Sequence, residues 1–258
     1  MRSVATVSVI LPTLNDAAAL RNQRFLEDAD EVIVADGHSS DETCAVAASR
    51  GFDVVATSPG RGRQMNVAAA QARGDVLLFL HADTRLPEAW RWLIETPLDR
   101  AAAGAFQFAL SAKGHRYRLL EKLVRLRRTP YGDQAIFLRR STFESVGGYP
   151  DWPILEDAEL IRRVRKLGKV TILDAPALTC ARRYQRDGIL RTTLCNQRCL
   201  WAWRIGVSPQ RVARWRTPFT AVQHHHAPDD HAPARRDSTT TRGSRSAEEL
   251  ETLGSLPQ

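Results

Sequence analysis

The chain has 258 residues, 43% of them apolar, and carries a formal charge of +8, enough for one sizeable core with extensions. No apolar run approaches the roughly 20 residues that cross a bilayer. The run Val4–Leu11 meets Pro12 without a small-residue cleavage site, so no signal peptide is predicted and a cytoplasmic location is expected. The basic excess lies in the body of the chain, since residues 217–258 hold 4 Arg and 6 acids while residues 1–216 hold 33 basic and 23 acidic side chains. Such a body suits polyanionic partners without choosing among them. Four cysteines, Cys44, Cys180, Cys195 and Cys199, show no CxxC pair and read as free thiols.

Taken in order, Val7–Leu11 predicts a first strand ended by Pro12, followed by a helix over residues 17–28. Glu31–Ala35 is a second buried strand finishing on Asp36. Ser39 and Glu42 have capping-box spacing and predict a helix to Arg50, stopped by Gly51. Asp41 is expected at the helix start. Asp53–Thr57 is a third strand, and residues 58–64 form a Gly-rich loop bearing Arg61 and Arg63 before a helix to Ala72. Then Val76–Leu80, apolar throughout, predicts a strand buried on both faces that ends at His81 and Asp83. This alternation of strand and helix predicts βαβ units and a mainly parallel sheet with helices on both faces.

Beyond Thr84 the rhythm breaks. A helix is expected over Pro87–Glu95, strands over Gly104–Leu110 and Ala135–Leu138, and a basic amphipathic stretch over Lys113–Arg128. Leu160, Ile161, Val164 and Leu167 recur at helical spacing, which puts Glu156 and Asp157 in a first turn, at the positive end of the helix dipole. Val170–Leu173 predicts a last strand. Residues 182–216 carry nine Arg and one acid among Leu and Trp. In this stretch and in 113–128, Arg flanking Leu and Trp suits a helix lying at a membrane surface as well as ordinary core packing with a basic outer face. Residues 217–258 are expected to form a disordered tail, so the domain spans 1–216.

Acids at strand and helix ends next to a basic Gly loop suggest handling of a nucleotide diphosphate. Ligands in open α/β sheets gather beyond the carboxyl ends of strands. Asp36 is placed to accept hydrogen bonds from a base or ribose. Asp83, helped by His81, is placed to hold Mg²⁺ or Mn²⁺ against phosphate. Arg61 and Arg63 are placed to add charge-assisted bonds. Asp157, or Glu156 beside it, is placed to take a proton from an attacking hydroxyl. Each acid also has a plainer use in a turn or a helix start.

The segments SVILPTLND, EVIVADGHSSDET, GRGRQMNVAAAQARGDVLLFLHADT, YGDQAIFLRRSTFESVGGYP and ILEDAELIRRVRKLGKV resemble, in that order, the family 2 glycosyltransferases of the GT-A fold. They are similar in particular to a bacterial radical-SAM/selenodomain-associated subgroup. The resemblance covers residues 4–216 and implies a Rossmann-like, mainly parallel mixed sheet. It implies an inverting transferase taking a nucleotide-diphosphate sugar, UDP-linked, to a hydroxyl acceptor with help from Mg²⁺ or Mn²⁺. It carries donor-binding roles to Pro12, Asn15, Asp36, Arg61, Arg63, Asn66, Ala82 and Asp83, the base role to Asp157 in its Glu156-Asp157 pair, and acceptor-side positions to Asp133 and Gln134. His81-Ala82-Asp83 stands where many relatives have DXD, so His81 replaces the first acid. The QxxRW motif of processive relatives is absent. A lipid-linked acceptor, with peripheral contact at the inner membrane face, is expected, and nucleic acid is not. The alternatives are a sugar-nucleotide-forming nucleotidyltransferase, which would want a Gly-rich, Lys-bearing loop after the first strand, and a degenerate nucleotide-sugar-binding module.

Overall fold

The computed structural model describes residues 5–126 and 129–215; the expected tail and Arg127–Arg128 lie outside them. The first half of the chain runs β1 (Val7–Thr13), α1 (Ala17–Arg21), β2 (Glu31–Asp36), α2 (Thr43–Ser49), β3 (Asp53–Ala56), α3 (Arg61–Gln71), β4 (Val76–Phe79), β5 (Thr84–Arg85) and α4 (Trp90–Glu95). It continues through β6 (Ala103–Leu110), α5 (His115–Arg125), β7 (Ile136–Arg139), α6 (Arg140–Ser145), α7 (Glu156–Val164) and β8 (Val170–Thr179). Three helices close the described part: α8 (Arg182–Asp187), α9 (Ile189–Arg204) and α10 (Pro209–Ala213).

Among the described residues the strands form one sheet in the order β3-β2-β1-β4-β7-β6-β8-β5. The four N-terminal strands are mutually parallel, with Val9 opposite Val32 and Leu78. β7 then pairs antiparallel with both β4 and β6, and β8 pairs parallel with β6. Alternate side chains of the central strands feed two cores, which is why their sequences read as unbroken apolar runs. On one face Val9, Val34 and Leu78 pack with Leu20, Val46 and Trp90 from α1, α2 and α4. On the other, Ile10, Ile33 and Leu77 pack with Met65, Phe143 and Leu160 from α3, α6 and α7. The α/β sheet with helices on both faces is as expected.

Several boundaries differ from the expectations, each for a visible reason. The first helix stops at Arg21, because Gln23 turns inward and its amide donates to the carbonyls of Ala82 (2.6 Å) and Thr84 (2.8 Å); a 3₁₀ turn at Leu26–Asp28 follows. Ser39 does not cap α2, since its hydroxyl is spent on Asp36 and on the Asn15 amide. Asp41 instead accepts from the Thr43 amide at the helix entry, 3.0 Å away. The loop expected to hold Arg61 and Arg63 is already the first turn of α3. The fourth helix begins at Trp90 rather than Pro87. The last strand runs on to Thr179: between its pairs with Ala105 and Gln107 of β6 it carries two extra residues, a bulge after which Pro176 resumes the pairing.

β6 and β7 meet so closely that only glycine fits at position 104. A Cβ there would lie 2.1 Å from the Phe137 ring, which sits edge-on to Phe106. Gly104→Ala is therefore expected to destabilise the fold by about 3 kcal/mol, the upper end of ordinary overpacking. A lower urea midpoint at unchanged m-value checks it.

Candidate active site

β4 ends at Phe79, but the chain stays pinned for one more residue, with the Leu80 amide donating to the Ile10 carbonyl (2.9 Å). His81 and Asp83 follow in a turn closed by the Thr84 amide on the His81 carbonyl (3.0 Å). Gln23 holds the carbonyl of Ala82 from below, so residues flanking Ala82 point away from the core while Ala82 itself is buried. A cavity of about 270 Å³ opens there, and Arg61, His81, Asp83, Asp133 and Asp157 all line it.

Asp157 reaches the cavity because Leu155 takes a left-handed backbone (φ 64°) that starts α7 abruptly. Its carboxylate is aimed by two amides: Gly132 N–H donates to Oδ2 at 2.7 Å and Ala158 N–H to Oδ1 at 2.7 Å. Position 132 must approach this close. A Cβ on it would fall 2.9 Å from His81 Nε2 and 3.5 Å from Asp157 Oδ2. The neighbouring Glu156 is buried and turned to Arg61, its Oε1 3.0 Å from the guanidinium Nε. Arg61 arrives because Gly62 lets α3 pack on the Pro150 carbonyl, which a Cβ would meet at 2.5 Å.

Charges crowd this wall. The carboxylates of Glu156, Asp157, Asp133 and Asp83 keep the Arg61 guanidinium firmly protonated. Burial, then the Asp157 and Asp83 charges, push the Asp133 carboxyl up to about 7, and one of its oxygens is buried without a hydrogen-bond partner among the described residues. Burial, then Arg61, pull His81 down to about 3, so its imidazole is neutral and keeps a lone pair at neutral pH. Burial and the nearby Asp157 and Glu156 charges raise the Tyr149 phenol, which packs edge-on to Phe79.

The remaining expected site residues sit elsewhere. Asp36 caps β2 and is buried. It accepts from the Ser39 amide (2.8 Å) and hydroxyl and from Thr13 Oγ1 (3.3 Å), and it does not line this cavity. Asn15 accepts from the Ser40 amide at 2.8 Å, stitching the loop after β1 to the loop after β2. Pro12 is buried within β1 opposite Ala35. Arg63 is exposed and pairs with Asp151. Asn66 holds both backbone groups of Tyr149 (2.8 and 2.9 Å). Gln134 is buried, and its amide donates to the Phe106 carbonyl at 2.9 Å.

So Arg61, His81, Asp83, Asp133 and Asp157 share one cavity, Glu156 joins them through Arg61, and Asp36 stands apart at the same sheet edge. One turn of α3 links the two places. Arg61 faces the cavity, while Gln64, three residues on, donates to the carbonyls of Thr13 and Ala35 at 2.8 Å each. Nothing in the residue pattern marks Gln64, an amide inside an Ala-rich helix. Nor does it single out Tyr131, Arg183 and Asn196, which line the same cavity together with the apolar Phe108, Leu120 and Leu200.

Gly132→Ala is expected to cut catalytic turnover at least about tenfold, since a misplacement of about 1 Å can cost a hundredfold. The melting temperature should move far less than the rate, because the crowded neighbours are cavity side chains rather than core. Comparing the rate with the melting temperature of the variant checks it.

A parallel α/β half continued by antiparallel strands, with carboxylates gathered beyond the tip of a central parallel strand, is the architecture of GT-A glycosyltransferases. Solved structures with this fold include a mannosyltransferase of Pyrobaculum calidifontis in complex with GDP-Man and Mn²⁺ (TM-score 0.54, 19% identity, covering 83% of this chain and 69% of that one). Another is TarS of S. aureus in complex with UDP-GlcNAc (TM-score 0.52, 17% identity, 68% of this chain and 58% of that one). The chain belongs to glycosyl transferase family 2, whose family model matches residues 8–147. It is 29% identical over 206 residues to the probable glycosyltransferase YdaM of Bacillus subtilis, covering 65% of this chain and 48% of that protein. It is 30% identical over 197 residues to an uncharacterized glycosyltransferase of Mycobacterium tuberculosis, covering 63% of this chain and 70% of that protein. The chain thus spans about half the length of YdaM.

Proposed function

We propose that the protein moves a sugar, with inversion, from a UDP-linked donor to a hydroxyl acceptor, using a divalent cation at His81 and Asp83. The observation that carries this reading is the shared cavity lined by Asp83 at one strand tip and Asp157 at one helix start, together with Arg61. The order of the five motifs supports membership of the radical-SAM/selenodomain-associated subgroup.

The donor set fits a hard cation. Asp83 offers carboxylate oxygen and His81 a neutral ring nitrogen. Among the described residues no preformed cluster of three or more side-chain ligands exists. Two side chains with room for phosphate oxygens suit Mg²⁺ or Mn²⁺ arriving with a nucleotide diphosphate. When bound, the cation would supply neutralisation of charge on the departing diphosphate. Arg61 adds a fixed positive charge to the same place. Asp36 and Asn15 order the loops at the neighbouring strand tips, where the base and ribose would rest, and Pro12 and Ala82 shape that floor.

Asp157 is the base. Two backbone amides fix its orientation while leaving further lone pairs on each oxygen to accept the acceptor's proton. One such base suffices for direct displacement. Asp133 lies on the acceptor side, and Gln134 braces the turn that carries it. The apolar lining residues Phe108, Leu120 and Leu200, with Arg183 in the same lining, suit an acceptor whose hydroxyl is attached to an apolar, lipid-like body.

The test is a panel of nucleotide sugars scored for thermal stabilisation with and without Mn²⁺. A UDP-sugar should stabilise the protein only with the metal, and a product of opposite anomeric configuration should form. No stabilisation by any nucleotide sugar with Mn²⁺ present would end the proposal.

A further inference from the structure

α5 and α9 pack beside one another and both wall the cavity, α5 through Leu120 and Val124 and α9 through Thr193, Asn196 and Leu200. Their inward sides are already spent on packing. Tyr117 and Leu120 join Phe108 and Leu110, while Cys199 and Ala202 join Ile154 and Val212. Each helix nevertheless carries a second apolar stripe in solvent. On α5, Leu119 (59% exposed), Leu123 (49%) and the following Leu126 (79%) stand at i, i+4 and i+7. On α9, Leu190 (73%), Leu194 (60%), Trp201 (64%) and the following Ile205 (75%) stand at i, i+4, i+11 and i+15. Those spacings each define a single line along a helix. The fold does not need either line.

The polar side chains around the stripes are nearly all cationic. Arg116, Arg118, Lys122 and Arg125 are exposed on α5, and Arg191 and Arg204 on α9. The acids nearby are engaged: Glu121 accepts from the Leu110 amide at 2.8 Å, and Asp187 pairs with Arg186 at 2.7 Å. No helix among the described residues is long and apolar enough to cross a membrane, so a membrane could meet this face only at its surface.

We infer that the α5–α9 face docks on an anionic bilayer, its Leu and Trp side chains at the acyl boundary and its Arg and Lys among the headgroups. Charge decides between occupants. A second copy would set one cationic face against another, which like-charge repulsion opposes, whereas an anionic headgroup layer complements it. Docking needs neither donor nor cation, so it stands or falls separately from the reaction proposed above.

The full-length protein should sediment with vesicles of phosphatidylcholine and phosphatidylglycerol at low salt and not with phosphatidylcholine alone, and added salt should release it. Leu194→Ser with Trp201→Ser should lower the partition coefficient at least about tenfold, since one buried side chain of this size is worth that much. Arg191→Glu with Arg204→Glu should do the same. All four positions are exposed, so an unchanged melting temperature certifies the variants as folded. Failure to sediment with anionic vesicles at low salt overturns the inference, as does sedimentation that both variants leave intact. A concentration-dependent dimer without vesicle binding, abolished by the same variants, would assign the face to a second copy and overturn it equally.

Discussion

Asp157→Asn should lower the rate of sugar transfer about 10²- to 10⁴-fold, the contribution usual for a positioned general base, while donor affinity changes little. The variant keeps the shape of the side chain, and its carbonyl oxygen can still accept from Gly132 or Ala158, the two amides that now orient the carboxylate at 2.7 Å each. What it loses is the ability to take a proton. Removing a transition-state interaction alone lowers kcat and kcat/KM together and leaves ground-state binding in place. The contrast with its neighbour sharpens the expectation. Glu156 is buried against Arg61, so its carboxylate serves to hold a guanidinium, and only Asp157 of the pair lines the cavity. Single-turnover rates with a UDP-sugar and calorimetric binding of the same donor give the two quantities. Turnover equal to wild type removes Asp157 from the chemistry; equal loss of rate and donor binding would instead make it a donor contact.

How much of this was legible in the sequence varies with the physics of each element. The parallel half was largely legible, because a strand buried on both faces must be apolar along its length, as Val76–Leu80 and Val32–Ala35 are. The site's acids followed from the same logic, since Asp83 and Asp157 stand where an apolar element meets solvent. What could not be read depends on contacts distant in sequence. Ser39 has the spacing of a helix cap, yet Asp36 and Asn15 claim its hydroxyl. Pro176 hides a strand that resumes its pairing with β6 only after a bulge in β8 itself. The grouping of Arg61 with Glu156 rests on Gly62 fitting under Pro150, 88 positions further on. Asp36 looked equivalent to Asp83 as an acid ending a buried strand. Its strand lies two places from β4 in the sheet, and its carboxylate is taken up by the Ser39 turn.

Asp83→Ala should abolish the part of donor stabilisation that requires Mn²⁺. With ligand at a hundred times its Kd, wild-type protein gains about 2.7 kcal/mol, and for a domain of this size that moves the melting temperature by about 5 to 10 °C. The ligand-free variant should melt close to wild type. The backbone contact at this position, the Cys180 amide on the Asp83 carbonyl at 3.2 Å, survives truncation of the side chain. Deleting one of several clustered acids also relieves part of the repulsion that, after burial, raises the Asp133 carboxyl. A loss of ligand response without loss of fold therefore isolates the cation's anchor from the scaffold. His81 cannot replace the missing oxygen, because one neutral imidazole next to the Arg61 guanidinium offers a hard cation a single nitrogen and no charge. If the Mn²⁺-dependent shift persists in Asp83→Ala, the cation is held by other groups, and the tip of β4 is not where the diphosphate is neutralised.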